Sequence, residues 1–172
     1  LLERTTATQV VVLSTAMVYG ARPDNPVPLT EDAEVRPNRG CRFALARAEL
    51  ERAADDLRRR RPGVRVAVLR PSVCTAGTEE RDWLERSAWH ARSVRHQGTE
   101  RLGQFLHVED LARAIEFARR SGLDGVFNVA PDGWLSERDQ LELVGAGRPP
   151  RLDPIVSRWL SRTRWSVGAA ST

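Results

Sequence analysis

Apolar residues in this chain gather in short continuous runs and in longer, regularly spaced series. Val10-Val11-Val12-Leu13, Val64-Arg65-Val66-Ala67-Val68-Leu69 and Gly125-Val126-Phe127-Asn128-Val129 are compact and rich in β-branched residues, and they read as buried strands. Between the first two, Ala44, Leu45, Ala48, Leu50, Ala53, Ala54 and Leu57 recur at threes and fours among Glu and Arg. That spacing predicts a helix from Arg42 to about Arg60, stopped by Pro62-Gly63. Strand, helix and strand in this order imply a crossover unit and a parallel sheet. Phe105-Leu106-His107-Val108 predicts a short strand, and Glu109-Asp110 opens a helix over Leu111 to Arg120 that Gly122 closes. Acidic side chains suit a helix N-terminus because they face its unpaired N–H groups.

The remaining stretches are less regular. Leu1 to Thr8 reads as the end of a helix and a connector. Pro23, Pro26 and Pro28 forbid helix after Gly20, and the irregular excursion runs on to Gly40. Between Thr78 and Arg101 stand Trp83, Trp89, His90 and His96, with a helix predicted over Asp82 to Arg95. Pro131-Asp132-Gly133 makes a turn, and a short helix is expected from about Ser136. In the tail, Ile155, Val156, Trp159 and Leu160 alternate with Arg158, Arg162 and Arg164 as in a basic amphipathic helix, which most simply docks on its own domain. No internal repeat is present.

At 172 residues the chain has room for one domain with a substantial core, and a single unit is expected. All 27 basic residues are Arg, so no Schiff-base or proton-relaying lysine is available among them. The formal charge of +4 permits attraction to phosphates, but the signs alternate along most segments and read as a solvated surface rather than a nucleic-acid contact. Cys41 and Cys74 match neither a zinc spacing nor a disulfide framework, and no run is long enough for a membrane span. A cytoplasmic protein with reduced thiols is expected, with a small-molecule substrate and no nucleic-acid or membrane partner; a homodimer stays open.

The candidate chemistry lies where strands end. Ser14-Thr15 follow the first strand directly, and Arg70-Pro71-Ser72 end the second at the same edge of the sheet. In open α/β sheets ligands bind in the crevice beyond the carboxyl ends of parallel strands.

Four stretches in order carry a family resemblance: Val12 to Gly20 with its Val-Tyr-Gly turn, Leu69-Arg70-Pro71, Phe105 to Ile115, and Gly125 to Ala130. Together, over roughly residues 9 to 136, they resemble the extended short-chain dehydrogenases/reductases of the NAD-dependent epimerase/dehydratase group. The resemblance implies an α/β fold, a partial Rossmann-like doubly wound parallel sheet with a small substrate-side region, and NAD or NADP as cofactor. It would place residues 1–150 in the C-terminal part of the NAD(P)-binding domain, the substrate-side region near 78–104, and a basic tail at 151–172.

In that family a Ser or Thr orients the substrate oxygen. A Tyr four residues before a Lys exchanges the proton, and the Lys lowers the Tyr pKa and holds the cofactor ribose. The matching catalytic positions here are Thr15, Phe43 and Arg47, anchored by the spacing through Glu51. Phe43 has no exchangeable proton, and Tyr19, the only tyrosine, belongs to the Val-Tyr-Gly turn and substitutes poorly. The resemblance further implies Ser14, Arg47, Pro71, Ser72 and Val73 toward the cofactor, and Thr15, Met17, Cys74 and Arg101 toward the substrate. Members acting on nucleotide sugars commonly carry Arg-Asp before the Phe of the third motif. Gly103-Gln104 stand there instead, with Arg101 as the nearest compensation. Val73 replaces the Asn often found beside the nicotinamide. The family's glycine-rich turn belongs to an amino-terminal half not contained in these residues, and the start at Leu1 predicts a fragment.

The expected function is therefore that of an epimerase/dehydratase-like oxidoreductase acting on a sugar or other hydroxy or carbonyl compound, with impaired or altered catalysis. The alternatives are a non-catalytic dinucleotide-sensing or partner-binding module, or a truncated remnant.

Overall fold

The computed structural model describes residues 6–75, 102–136, 138, 139 and 142. In chain order these form β1 (Gln9–Leu13), a single 3-10 turn (Ala16–Tyr19), α1 (Arg42–Arg60), β2 (Arg65–Pro71) and β3 (Val73–Thr75). They continue with β4 (Leu102–Gly103), β5 (Phe105–His107), α2 (Val108–Arg120), β6 (Gly125–Val129) and β7 (Leu135–Ser136). The chain divides into two compact units, Leu1–Cys74 with Leu106–Ala130, and Thr75–Phe105 with Pro131–Thr172.

The first unit is built on a parallel three-stranded sheet in the order β1-β2-β6. Leu13 lies opposite Leu69, and Pro71 opposite Val129, so β2 runs two residues past the end of β1. The continuous apolar runs follow from burial on both faces. Val12, Val66 and Val68 pack with Ala54, Val64 and partly buried Leu57 on one face, while Ala67 and Leu69 pack with Ala118 and partly buried Ile115 on the other. A strand alternates its side chains, so one run of valines and leucines serves a helix on each side. Each Val or Leu so buried contributes about 1.5–3 kcal/mol of hydrophobic free energy.

Small residues let α1 approach the sheet closely: its buried positions are Ala44, Ala48 and Ala54. Arg58, Arg59 and Arg60 fill its last turn, where cations complement the carbonyl end of the helix dipole. The helix predicted from Leu111 starts at Val108 instead. His107 supplies the cap, its Nδ1 accepting from the Glu109 N–H at 3.2 Å, with Glu109 and Asp110 in the first turn. Sequence reasoning assigned the start to the acids and overlooked the histidine.

In the second unit, β4 pairs antiparallel with β7, and Gln104 Nε2 donates to the Pro131 carbonyl at 2.8 Å. The helix expected from about Ser136 is present at the described residues Arg138, Asp139 and Glu142. Ser136 itself closes β7 by pairing with Leu102, and its Oγ accepts from the Asp139 N–H at 3.2 Å. The helix predicted over Asp82 to Arg95 and the basic tail lie outside the described residues, as do most of the substrate-side region and the first five residues. Among the described residues no helix is long and apolar enough to cross a membrane, and no cluster of metal-ligating side chains is present.

Two consequences of this architecture are measurable. Gly20 has φ 71°, and a Cβ there would sit 2.3 Å from the Arg36 carbonyl oxygen. Gly20→Ala should therefore cost at least about 1–3 kcal/mol in urea unfolding, the backbone strain alone accounting for that much. Asp124 Oδ1 accepts from the Val66 N–H at 3.0 Å and from Arg58 Nε at 3.1 Å. These bonds, the backbone one foremost, hold its carboxyl below its ordinary value of 3.8. A depressed carboxylate contributes stability that is present above its unfolded pKa and is lost as pH falls through the folded one. Asp124→Asn should flatten the loss of stability below about pH 4 in acid titrations followed by circular dichroism.

Candidate functional site

The sheet's carboxyl edge carries a buried polar network that joins β1, β2, β6, α1 and the irregular excursion. At its centre is Arg70, only 5% exposed, directly after the apolar run Val66 to Leu69 of β2. Its Nε lies 3.0 Å from Glu51 Oε1 and its Nη2 donates to Oε2 at 2.7 Å, a bidentate ion pair between β2 and α1. Nη1 donates to the Tyr19 hydroxyl at 2.7 Å and to the Glu31 carbonyl at 3.1 Å. The guanidinium also lies over the Tyr19 ring, 4.8 Å from its centroid. Burial works against this charge, but the bonds to Glu51 and Tyr19 outweigh it and hold Arg70 above its ordinary pKa.

The network extends from both partners. Tyr19 donates to Asn128 Oδ1 at 2.7 Å, and Asn128 in turn donates from Nδ2 to the Leu29 carbonyl at 3.1 Å and from its backbone N–H to Glu31 Oε1 at 2.7 Å. On the other side, Glu51 Oε1 accepts from the Ser14 hydroxyl. Residues 29–31 of the excursion are thereby fastened to the ends of β2 and β6. Tyr19 is fully buried, with its hydroxyl committed in both directions, so it does not face a ligand.

The sequence-predicted residues fall around this network as follows. Ser14 is buried and its hydroxyl is turned to Glu51, while its N–H donates to the Leu69 carbonyl at 2.8 Å and prolongs the ladder between β1 and β2. Thr15 caps the 3-10 turn, its Oγ1 accepting from the Met17 N–H at 3.3 Å, and Met17 is half exposed. Phe43 and Arg47 stand one turn apart on α1, with the Arg47 guanidinium 5.0 Å from the Phe43 centroid and the ring 50% exposed. Arg47 Nη1 donates to the Leu13 carbonyl at 3.0 Å, which brings the α1 pair to the end of β1, two residues before Thr15.

Pro71 ends β2 and is buried, and the Ser72 N–H continues the pairing with β6 by donating to the Val129 carbonyl at 2.9 Å. The Ser72 hydroxyl is buried with no hydrogen-bond partner among the described residues. Val73 and Cys74 follow on β3 with exposed side chains. Arg101 lies outside the described residues.

Thr15, Phe43, Arg47 and Ser72 thus belong to the ends of adjacent elements. Sequence reasoning did not identify the Glu51–Arg70–Tyr19–Asn128 network behind them. A signal was present, since an arginine directly following Val66-Ala67-Val68-Leu69 calls for a buried acid partner.

Removing one partner of a buried ion pair leaves the other charged and unsatisfied, so Arg70→Met should destabilise the chain by about 3–5 kcal/mol in denaturant unfolding. Arg70→Lys should recover little, because an ammonium cannot reproduce the fork of bonds to Glu51 and Tyr19. Replacing both partners, as Glu51→Leu with Arg70→Met, should cost less than either single change.

Comparison with known proteins agrees with this architecture. The family model for the NAD dependent epimerase/dehydratase family matches residues 1–130. An uncharacterized protein of Mycobacterium tuberculosis is 32% identical over 151 residues, 88% of this chain, and the chain spans 39% of that relative's length. Among solved structures, RMD from Pseudomonas aeruginosa complexed with NADPH superposes with a TM-score of 0.64 at 19% identity, covering 84% of this chain and 50% of that one. The dTDP-glucose 4,6-dehydratase of Bacillus anthracis in complex with NAD gives a TM-score of 0.62 at 20% identity, covering 81% and 47%. At such identities the structural likeness establishes the Rossmann-type α/β fold, and the match over residues 1–130 establishes the family: the chain belongs to the NAD dependent epimerase/dehydratase family.

Proposed function

We propose that this chain is the carboxy-terminal part of an NAD(P)-dependent oxidoreductase acting on a sugar or another small hydroxy or carbonyl compound, with its proton transfer impaired or altered. One observation carries the reading: at the carboxyl edge of the parallel sheet of a chain in this family, Thr15, Arg47 and a Ser72 hydroxyl without a partner among the described residues converge on the ends of β1 and β2. A buried hydroxyl without a partner costs roughly 1–3 kcal/mol, and a ligand that supplies the missing hydrogen bond removes that cost.

NAD or NADP fits this edge, and the dinucleotide complexes named above among the structural neighbours support the assignment. When bound, the dinucleotide would accept or donate the hydride. Pro71, Ser72 and Val73 would flank its nicotinamide, and Arg47 would offer donors to the ribose. Ser14 would contribute by setting the end of β1, since its hydroxyl serves Glu51. Thr15 would orient the substrate oxygen, with Met17 and Cys74 toward the substrate. In this reading the NAD(P)-binding domain extends to residue 150, with its substrate-side region at 78–104 and a basic tail at 151–172.

Phe43 favours a second reading, a dinucleotide-sensing module without turnover, because a phenyl ring cannot exchange a proton with a substrate oxygen. Two measurements separate the readings. Calorimetric titration with NAD(H) and NADP(H) should show binding in the micromolar to millimolar range, and its absence would remove both readings for this chain. Phe43→Tyr with Arg47→Lys should then raise turnover of a sugar or carbonyl substrate by about a hundredfold or more, the usual contribution of a positioned proton donor. Dinucleotide binding without turnover in either protein would leave the sensing module.

A further inference from the structure

Arg47 differs from Arg70 in one respect that bears on what the site binds. Arg70 has a carboxylate on its fork, whereas the partners of Arg47 are neutral: the Leu13 carbonyl on Nη1 and the face of the Phe43 ring. No acidic side chain pairs with Arg47 among the described residues. It is nevertheless partly buried and held against the end of β1. A partly desolvated guanidinium without a counter-ion is costly, and an anionic oxygen is the ligand group that relieves the cost most.

The groups beside it define the rest of that ligand. Phe43 presents a half-exposed ring face next to the guanidinium, suited to the apolar face of a pyranose or a similar flat body. Thr15 Oγ1 accepts from Met17 and retains its own proton to donate to a ligand oxygen. The ribose hydroxyls assigned to Arg47 above are neutral, so that assignment by itself leaves the guanidinium without a counter-ion.

We infer that Arg47 and Phe43 form a carboxylate-selective subsite, in which the guanidinium pairs with the carboxylate of an acidic sugar or hydroxy acid and the ring packs against its body. This deepens the oxidoreductase reading by specifying a substrate that carries a negative charge, and it rests on that reading only for the identity of the site as a substrate site.

The test compares D-glucuronate with its neutral methyl ester, titrated calorimetrically into the 172-residue chain with and without NAD. The acid should bind about tenfold or more tightly than the ester, the difference expected when a charge-assisted hydrogen bond is lost. Arg47→Met should abolish that preference, and Arg47→Lys should restore part of it. Phe43→Leu should weaken acid and ester alike, keeping the preference while removing the ring. Unfolding midpoints of the variants would show that each is folded at the titration temperature, and Arg47→Lys and Phe43→Leu keep the assignment testable if Arg47→Met is not.

Equal binding of acid and ester, no binding of the acid, or a preference that survives Arg47→Met in the folded chain would overturn the assignment. Inorganic phosphate offers charge without a ring and should compete only weakly; phosphate binding as tightly as the sugar acid would overturn the carboxylate specificity. Loss of dinucleotide binding with the acid preference intact would count against the oxidoreductase reading alone.

Discussion

The ion pair between Arg70 and Glu51 is the constraint on which the carboxyl edge of the sheet depends. A charge buried in a strand of valines and leucines is tolerable only with a matched partner, and a bidentate carboxylate from α1 supplies it. The pair joins helix to sheet where alanine packing alone would leave the angle and register of α1 loosely specified. Each charged group also retains bonding capacity after pairing, which Ser14 fills on one side and Tyr19 with the Glu31 carbonyl on the other. The same interaction therefore fixes the end of β1, the 3-10 turn and the strap at residues 29–31.

The site is positioned by this arrangement and not by its own contacts. Ser14 is held through Glu51, and Thr15 is the next residue along, already capping the turn that ends at Tyr19. Arg47 is one helical turn before Glu51 on α1, so the bond that holds Glu51 also sets where the Arg47 guanidinium reaches the Leu13 carbonyl. Two arginines meet the same edge from different elements. One is charge-neutralised and structural, and the other has only neutral partners beside a half-exposed ring. That contrast separates the framework of the edge from the part of it proposed to meet a ligand.

Much of the fold is legible in the chain because its main signals are local. Val10 to Leu13 and Val66 to Leu69 are continuous apolar runs, and such runs require a sheet covered on both faces. The alanine and leucine spacing from Ala44 to Leu57 could suit only a helix. Where the reading slipped, the deciding contact was distant or easily overlooked. α2 begins at Val108 because a histidine, a weak cap by type, turns its ring to the Glu109 N–H, and Ser136, next to the helix expected there, also ends β7 because Leu102 pairs with it across more than thirty positions.

The sequence by itself determined the family motifs and the order of the three strands of the main sheet with α1 and α2, since identity and spacing are read without coordinates. The tertiary structure alone decided which polar groups are consumed within the fold and which remain for a ligand. Ser14 and Tyr19 carry hydroxyls as suggestive as those of Thr15 and Ser72, yet Glu51, Arg70 and Asn128 occupy the first two and nothing among the described residues occupies that of Ser72. Hydrogen-bond satisfaction depends on partners brought together from distant parts of the chain, and no local pattern encodes it.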